Sequence, residues 1–357
     1  MTDLSEDQQK RADRLAHDSI LVDMCWTTNP VMPMSAFDGK SSLDRALAGG
    51  ITAAANTLVG ERASFRQSLQ EINQLYLLEQ VERKKVIVVH TVGDILRAKE
   101  EGKLGTIIHF QTGTPVEDDW PNTLPVLHKL GLRIMALTYN EKNLIGSGCH
   151  EPRDEGLTAY GIQVVKAMNA LGILIDLSHV GRHTAMETVR LSKAPVLFTH
   201  SNADTLTPHM RSMTDEMIRA LRDNGGVIGI ASYAPFCVQK EGAKPTITDF
   251  LDHLEYMLDL AGEDHVGIGT DINENVTVFP IPAPYELQYG PIVAETHHGL
   301  AIPARHTDGG PVRVKGFERL ENINNVARGL VARGHSDELV VKILGGNFMR
   351  VAREVWS

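Results

Sequence analysis

Short aliphatic runs that end in polar residues recur along the chain, and stretches with helical spacing separate them. SILVDMCW (Ser19–Trp26), ITAAANTLVG from Ile51, TIIHFQTG from Thr106, IMALTYN from Ile134, GILIDLSH (Gly172–His179), PVLFTHSN (Pro195–Asn202), VIGIASYA from Val227 and HVGIGTDIN from His265 read as eight strands. A shorter VIVVH run precedes Thr91. Helices are expected around Gln8–Ala16, over the face formed by Leu69, Ile72, Leu75 and Leu78, between a Thr214 cap and a Gly225 stop, and over Thr248–Ala261 with Phe250, Leu251, Leu254, Met257 and Leu258 on one stripe. Gly316–Val331 and Asp337–Leu344 read as closing helices before GGNFMRVAREVW. Strands that alternate with helices in this way predict a single α/β domain over residues 1–357, a (β/α)8 TIM barrel; a doubly wound open sheet is the alternative.

From Val276 to Val314 the periodicity stops, broken by Pro280, Pro282, Pro284, Pro291, Pro303 and Pro311. A loop of that length after the last strand is expected either as a lid over the carboxyl face or as an interface in a homodimer.

Composition narrows the partners. With 357 residues and a formal charge of −10, and no run of Lys or Arg, the chain is not expected to bind nucleic acid or an anionic membrane; a small molecule suits it better. The polar, acidic start MTDLSEDQQKRADRLAHD is unlike a signal peptide, and no run has transmembrane length. Cys25, Cys149 and Cys237 are too few and scattered for a disulfide framework, so a cytoplasmic location is expected.

The ends of the runs carry the chemistry. In a barrel Cys25, Thr27, His109, Gln111, Tyr139, His179, His200 and Asp271 would converge at one mouth. His179 and His200, at the ends of adjacent strands, point to a metal; the plainer alternative is two histidines bonded to loop carbonyls. Asp271 suits a general acid/base that takes a proton from an activated water and delivers it to a leaving nitrogen, or a cap for the following turn.

These residues resemble the membrane (renal) dipeptidases, a branch of the metal-dependent amidohydrolase superfamily. The resemblance runs through GLTAYGIQVVKAMNALGILIDLSHV, APVLFTHSNADTLTPHMRSMTDEMIRALRDNGGVIGI, DHVGIGTDIN and ILGGNFMRV, and more weakly through LVDMCW and LTYN. It implies a (β/α)8 barrel, zinc on His179 and His200, catalysis by Asp271, and a substrate carboxylate on Arg211. The departures are as informative. Cys25-Trp26-Thr27 stands where the family has His-x-Asp, Gln111 where it has the glutamate that bridges two zinc ions, and Tyr139 where it has a substrate-contacting histidine.

A neutral glutamine cannot bridge two divalent ions, and threonine is a poor zinc ligand. One divalent ion, zinc by preference, is therefore expected on His179 and His200, with Cys25 or Asp271 completing the set; as a lone cysteine, Cys25 can equally be a small buried hydrophobe. Gln111 and Tyr139 then fall among the substrate-binding residues with Arg211. His109 is read as core more readily than as a ligand one layer deeper, and His297, His298 and His306 are weak candidates. The expected activity is hydrolysis of an amide or related C–N bond in a small carboxylate-bearing substrate, dipeptidase-like without being an ordinary dipeptidase. A metal-dependent lyase, a non-catalytic dipeptidase-like binding protein and a nucleophilic Cys25 remain as alternatives.

Overall fold

Strands that are apolar on both faces need cover on both sides, and a parallel barrel ringed by helices supplies it. The computed structural model describes residues 4–27, 40–116, 119–239, 244–272 and 313–356. Its strands are β1 (Val22–Trp26), β2 (Ala53–Val59), β3 (Val86–Val89), β4 (Leu104–Phe110), β5 (Leu132–Ala136), β6 (Leu174–Asp176), β7 (Leu197–Ser201), β8 (Val227–Ile230) and β9 (Val266–Ile268). All pairings are parallel, in the order β1-β2-β4-β5-β6-β7-β8-β9. A parallel bridge between Trp26 and Ile272, with the Asp271 amide donating to the Cys25 carbonyl at 2.9 Å, joins the last strand to the first. The sheet is thus a closed (β/α)8 barrel and not an open doubly wound one. The VIVVH run, β3, pairs with the amino half of β4 from Leu104 to Ile107, while β5 takes the same strand from Ile108 onward, so β3 lies beside the ring without entering it.

The helices are α1 (Glu6–Asp18), α2 (Ser42–Ala48), α3 (Phe65–Val81), α4 (Val92–Glu101), α5 (Trp120–Lys129), α6 (Ala159–Leu171), α7 (Arg182–Leu191), α8 (Asp215–Asn224), α9 (Ile247–Ala261), α10 (Asn324–Ala332), α11 (Asp337–Val341) and α12 (Asn347–Val355). Side-chain caps start many of them: Thr214 accepts from the Met217 amide for α8, and Gly225 ends that helix in the left-handed conformation. Helix α9 begins at Ile247 because Thr246 and Asp249 form a capping box.

The first closing helix starts later than expected, while the second starts at Asp337 and breaks next to its expected end at Leu344. Gly316 has φ +90° and its neighbours Arg313 and Lys315 bridge to Tyr233 and Thr246, so only a single 3-10 turn at Leu320–Asn322 precedes α10. The second breaks at Gly345, where a Cβ would lie 2.3 Å from the Ile20 carbonyl, and the chain resumes as α12. Phe348, Met349 and Ala352 of α12 pack in one cluster with Val22, Met24, Ala53, Ile107, Ile134, Leu174, Leu197 and Val227 of the strands. Nearly all of the proline-rich 276–314 stretch, with His297, His298 and His306, lies outside the described residues.

Candidate active site

The site is built from a buried aspartate outward. Asp176, at the end of β6, is fully buried and accepts from the Ser178 amide at 2.9 Å, the Thr199 amide at 2.9 Å, the Thr199 hydroxyl at 2.7 Å and His109 Nε2 at 3.1 Å. Burial pushes its carboxyl up, but the hydrogen bond and charge of His109 prevail and hold it well below the usual carboxylate range. Because the Thr199 hydroxyl proton goes to Asp176, its oxygen accepts from His200 Nδ1 at 2.8 Å. That leaves His200 Nε2 as a bare lone pair.

His179 reaches the same state by another route. Its Nδ1 donates to Asn140 Oδ1 at 2.7 Å, Tyr139 stacks on its ring with centroids 4.0 Å apart, and its backbone is left-handed, with φ +69°. Its Nε2 lies 2.9 Å from that of His200. Burial, reinforced by the Arg211 charge, pushes both imidazoles well below their ordinary pKa, so both are neutral at pH 7. Packing under this pair is tight: a Cβ on Gly269 would sit 1.7 Å, and one on Gly229 2.1 Å, from the Thr199 carbonyl oxygen.

Across the mouth lie Cys25 and Asp271, whose Sγ and Oδ1 are 4.0 Å apart. One ligand atom each from Cys25, His200 and Asp271 falls within 4.8 Å of the others, and His179 joins this set through His200. Gln111 Nε2 donates to Cys25 Sγ and to Thr57 Oγ1, both at 3.1 Å. Burial lifts the Asp271 carboxyl to about 7 against the pull of Arg211, while burial and the negative field of Asp271 keep the Cys25 thiol protonated when no cation is present. Asp271, like His179, is a non-glycine residue in the left-handed region, with φ +54°.

Arg211 stands on the segment after β7. Its Nη2 donates to the His200 carbonyl at 3.2 Å, its guanidinium lies 5.5 Å from the Phe236 ring centroid, and its buried Nε has no hydrogen-bond partner among the described residues. His253 pins this segment, accepting from the Ala203 amide at Nδ1 and donating from Nε2 to Thr207 Oγ1, both at 3.1 Å. Burial lowers its pKa to about 4, which keeps Nδ1 an acceptor at neutral pH.

The residues fit a metal. Two bare imidazole lone pairs facing each other at 2.9 Å repel unless a cation lies between them, and two nitrogens with a thiol and a carboxylate nearby make a donor set suited to zinc. The structure brings His179, His200, Cys25, Asp271, Arg211, Tyr139 and Gln111 to one mouth. Gln111 is engaged with the Cys25 sulfur, Tyr139 with the His179 ring, and His109 with Asp176, one layer below. Sequence reading missed Asp176, Thr199 and Asn140, which fix the imidazoles. A faint signal was present: Asp two positions before a strand-end residue whose amide it accepts occurs in both Asp23-Met-Cys25 and Asp176-Leu-Ser178.

The membrane dipeptidase family model matches residues 9–281 and 299–357. The chain belongs to the membrane dipeptidase family. Dipeptidase tcpJ of Claviceps purpurea is 30% identical over 295 residues, covering 82% of this chain and 61% of its own length, so the chain spans about three fifths of that relative. An amidohydrolase from Pseudomonas aeruginosa superposes with a TM-score of 0.82 at 32% identity, over 97% of this chain and 99% of that one. A metallopeptidase from Rhodobacter sphaeroides, solved with a phosphinate mimic of the dipeptide L-Ala-D-Ala, shares the fold with a TM-score of 0.76 at 21% identity, over 95% of this chain and 100% of that one. Among the described residues no helix is long and apolar enough to cross a membrane.

Proposed function

We propose that the protein is a mononuclear zinc hydrolase that cleaves an amide or related C–N bond in a small carboxylate-bearing substrate and turns over ordinary dipeptides poorly. The observation that carries this reading is the pair of bare imidazole nitrogens 2.9 Å apart beside Cys25 and Asp271. His179, His200 and either Cys25 or Asp271 would hold the ion. When bound, zinc supplies Lewis acidity toward the substrate carbonyl and an acidified water.

The protein groups do the rest. Arg211, whose buried Nε has no hydrogen-bond partner among the described residues, orients the substrate carboxylate. Asp271, its carboxyl near 7, takes the proton of the attacking water and returns it to the departing nitrogen as the carbon–oxygen bond forms and the carbon–nitrogen bond breaks. Gln111 is neutral and committed to Cys25 and Thr57, which favours one metal over two. We place the protein in the cytoplasm, since Cys25, Cys149 and Cys237 are free thiols.

Elemental analysis of protein purified without chelator tests the reading. Close to one zinc per chain is expected, lost in His179→Ala and in His200→Ala, with simple dipeptides cleaved far below the roughly 10 per second of a median enzyme. Two metals per chain, or dipeptide turnover at that rate, would overturn it.

A further inference from the structure

Cys25 is closed off from any substrate, yet two donors are spent on its sulfur. The side chain is fully buried at the end of β1. Its backbone is clamped on both sides: the Cys25 amide donates to Asp23 Oδ1 at 3.1 Å, and its carbonyl accepts from the Asp271 amide at 2.9 Å. The sulfur therefore has a fixed place in the mouth. Gln111 Nε2 donates to that sulfur and to Thr57 Oγ1, both at 3.1 Å. Because the Thr57 oxygen accepts from Gln111, its own proton is free to turn to Cys25, and the hydrogen bond between the two favours the anionic sulfur.

A thiol is a weak acceptor and gains little from two donors, whereas an ionised acceptor gains roughly twice what a neutral one does. The thiol proton itself is offered a poor partner, Asp271 Oδ1 at 4.0 Å. The donors thus suit an anion, while burial and the negative charges of Asp271, Asp23 and Asp176 oppose one. A cation at the sulfur resolves this conflict, and the bare Nε2 lone pairs of His179 and His200 mark where one belongs. One ligand atom of His200 lies within 4.8 Å of the sulfur. Asp271 differs from Cys25 in being partly exposed, so water and substrate can reach it.

We propose that Cys25, as a thiolate held by Gln111 and Thr57, is the third protein ligand of the ion, and that Asp271 stays off the ion as the proton carrier. This rests on the reading of His179 and His200 as a metal pair and closes its choice between Cys25 and Asp271. On binding, the S–H bond breaks, a sulfur–metal bond forms and the proton leaves to solvent. Gln111 then serves the sulfur and not the substrate, since an amide at this place can donate where a carboxylate only accepts. A thiolate among the ligands also turns the site toward zinc and away from magnesium or calcium.

Cobalt(II) is the probe. Metal-free protein titrated with cobalt(II) alone should develop a near-ultraviolet band from sulfur-to-cobalt charge transfer, saturating at one equivalent. Cys25→Ser should lose this band, whereas Cys149→Ser and Asp271→Asn should keep it. Gln111→Met, which preserves the side-chain length and removes the donors, should move the band to lower energy and weaken cobalt binding roughly ten- to a hundredfold. Thermal melts confirm that each variant folds, and if Cys25→Ser does not, the Gln111→Met shift decides. Wild type that takes up no cobalt or binds it without the band, a band that survives in Cys25→Ser or is lost in Asp271→Asn, or an unmoved band in folded Gln111→Met would overturn the assignment. The hydrolase reading fails separately: the band without cleavage of any C–N substrate leaves the thiolate ligand standing and the hydrolase fallen, whereas cleavage by cobalt-loaded protein that lacks the band does the reverse.

Discussion

Asp176 and Asp23 sit in nearly identical settings and carry different charges. Each is fully buried near a strand end, and each accepts from the amide two residues ahead, Ser178 at 2.9 Å and Cys25 at 3.1 Å. Each also accepts the amide and the hydroxyl of one threonine: Thr199 at 2.9 and 2.7 Å, Thr270 at 2.8 and 2.6 Å. In each case that threonine immediately precedes a site residue, His200 or Asp271. Yet Asp176 is held well below the usual carboxylate range, while burial lifts Asp23 to about 7, helped by the charge of Asp271. The difference is His109, which donates to Asp176 and has no counterpart at Asp23 among the described residues. Three hydrogen bonds to neutral donors do not keep a buried carboxylate ionised here; the added imidazole does.

The largest expected effect follows from removing that contact. Asp176→Asn should cost about 3 kcal/mol or more in urea unfolding at pH 7, since His109 and the Thr199–His200 link both lose their buried anchor. Asp23→Asn should cost under ~1 kcal/mol, because that group is already close to half neutral. Equal costs would break the comparison.

His109→Leu sharpens it through the pH dependence. In the wild type the depressed Asp176 contributes stability above the ordinary carboxylate pKa, lost as pH falls through its lowered folded value. Without His109 the folded pKa should rise above the unfolded one, and the contribution should reverse, present at low pH and lost as pH rises. Chemical unfolding of His109→Leu, set against the double variant with Asp176→Asn, reads the sign directly. An unchanged sign would show that the neutral donors suffice.

A gentler slope is expected at Asp23. Its folded pKa, near 7, lies above the unfolded value, so its contribution is complete below about pH 4 and fades as pH rises toward 7. Metal-free wild type should therefore lose stability relative to Asp23→Asn over that window, by at most ~1.4 kcal/mol per pH unit. A flat difference between the two proteins would place the Asp23 pKa at its ordinary value.

The barrel was legible because each ring strand is an aliphatic run closed by polar residues, a local signal that composition carries unaided. His179, His200 and Asp271 were legible for the same reason, since strand ends are where the chain pattern changes. Asn140 and His253 were not: each acts on a partner from another part of the barrel, and no periodicity records such a pairing. His109 shows the boundary well. Its place one layer down could be read from the two-residue strand repeat, but the Asp176 that receives its proton is 67 residues away in sequence.

The left-handed backbone at His179 and Asp271 sets engineering for heat resistance against function. A search for thermostable variants that ranks positions by conformational ease would choose glycine or asparagine at both, and it would be correct about folding. It would also erase, in two steps, the two side chains to which we assign metal binding and proton transfer. Stabilising libraries for this scaffold should hold these two positions fixed and take their gains from the helical surface.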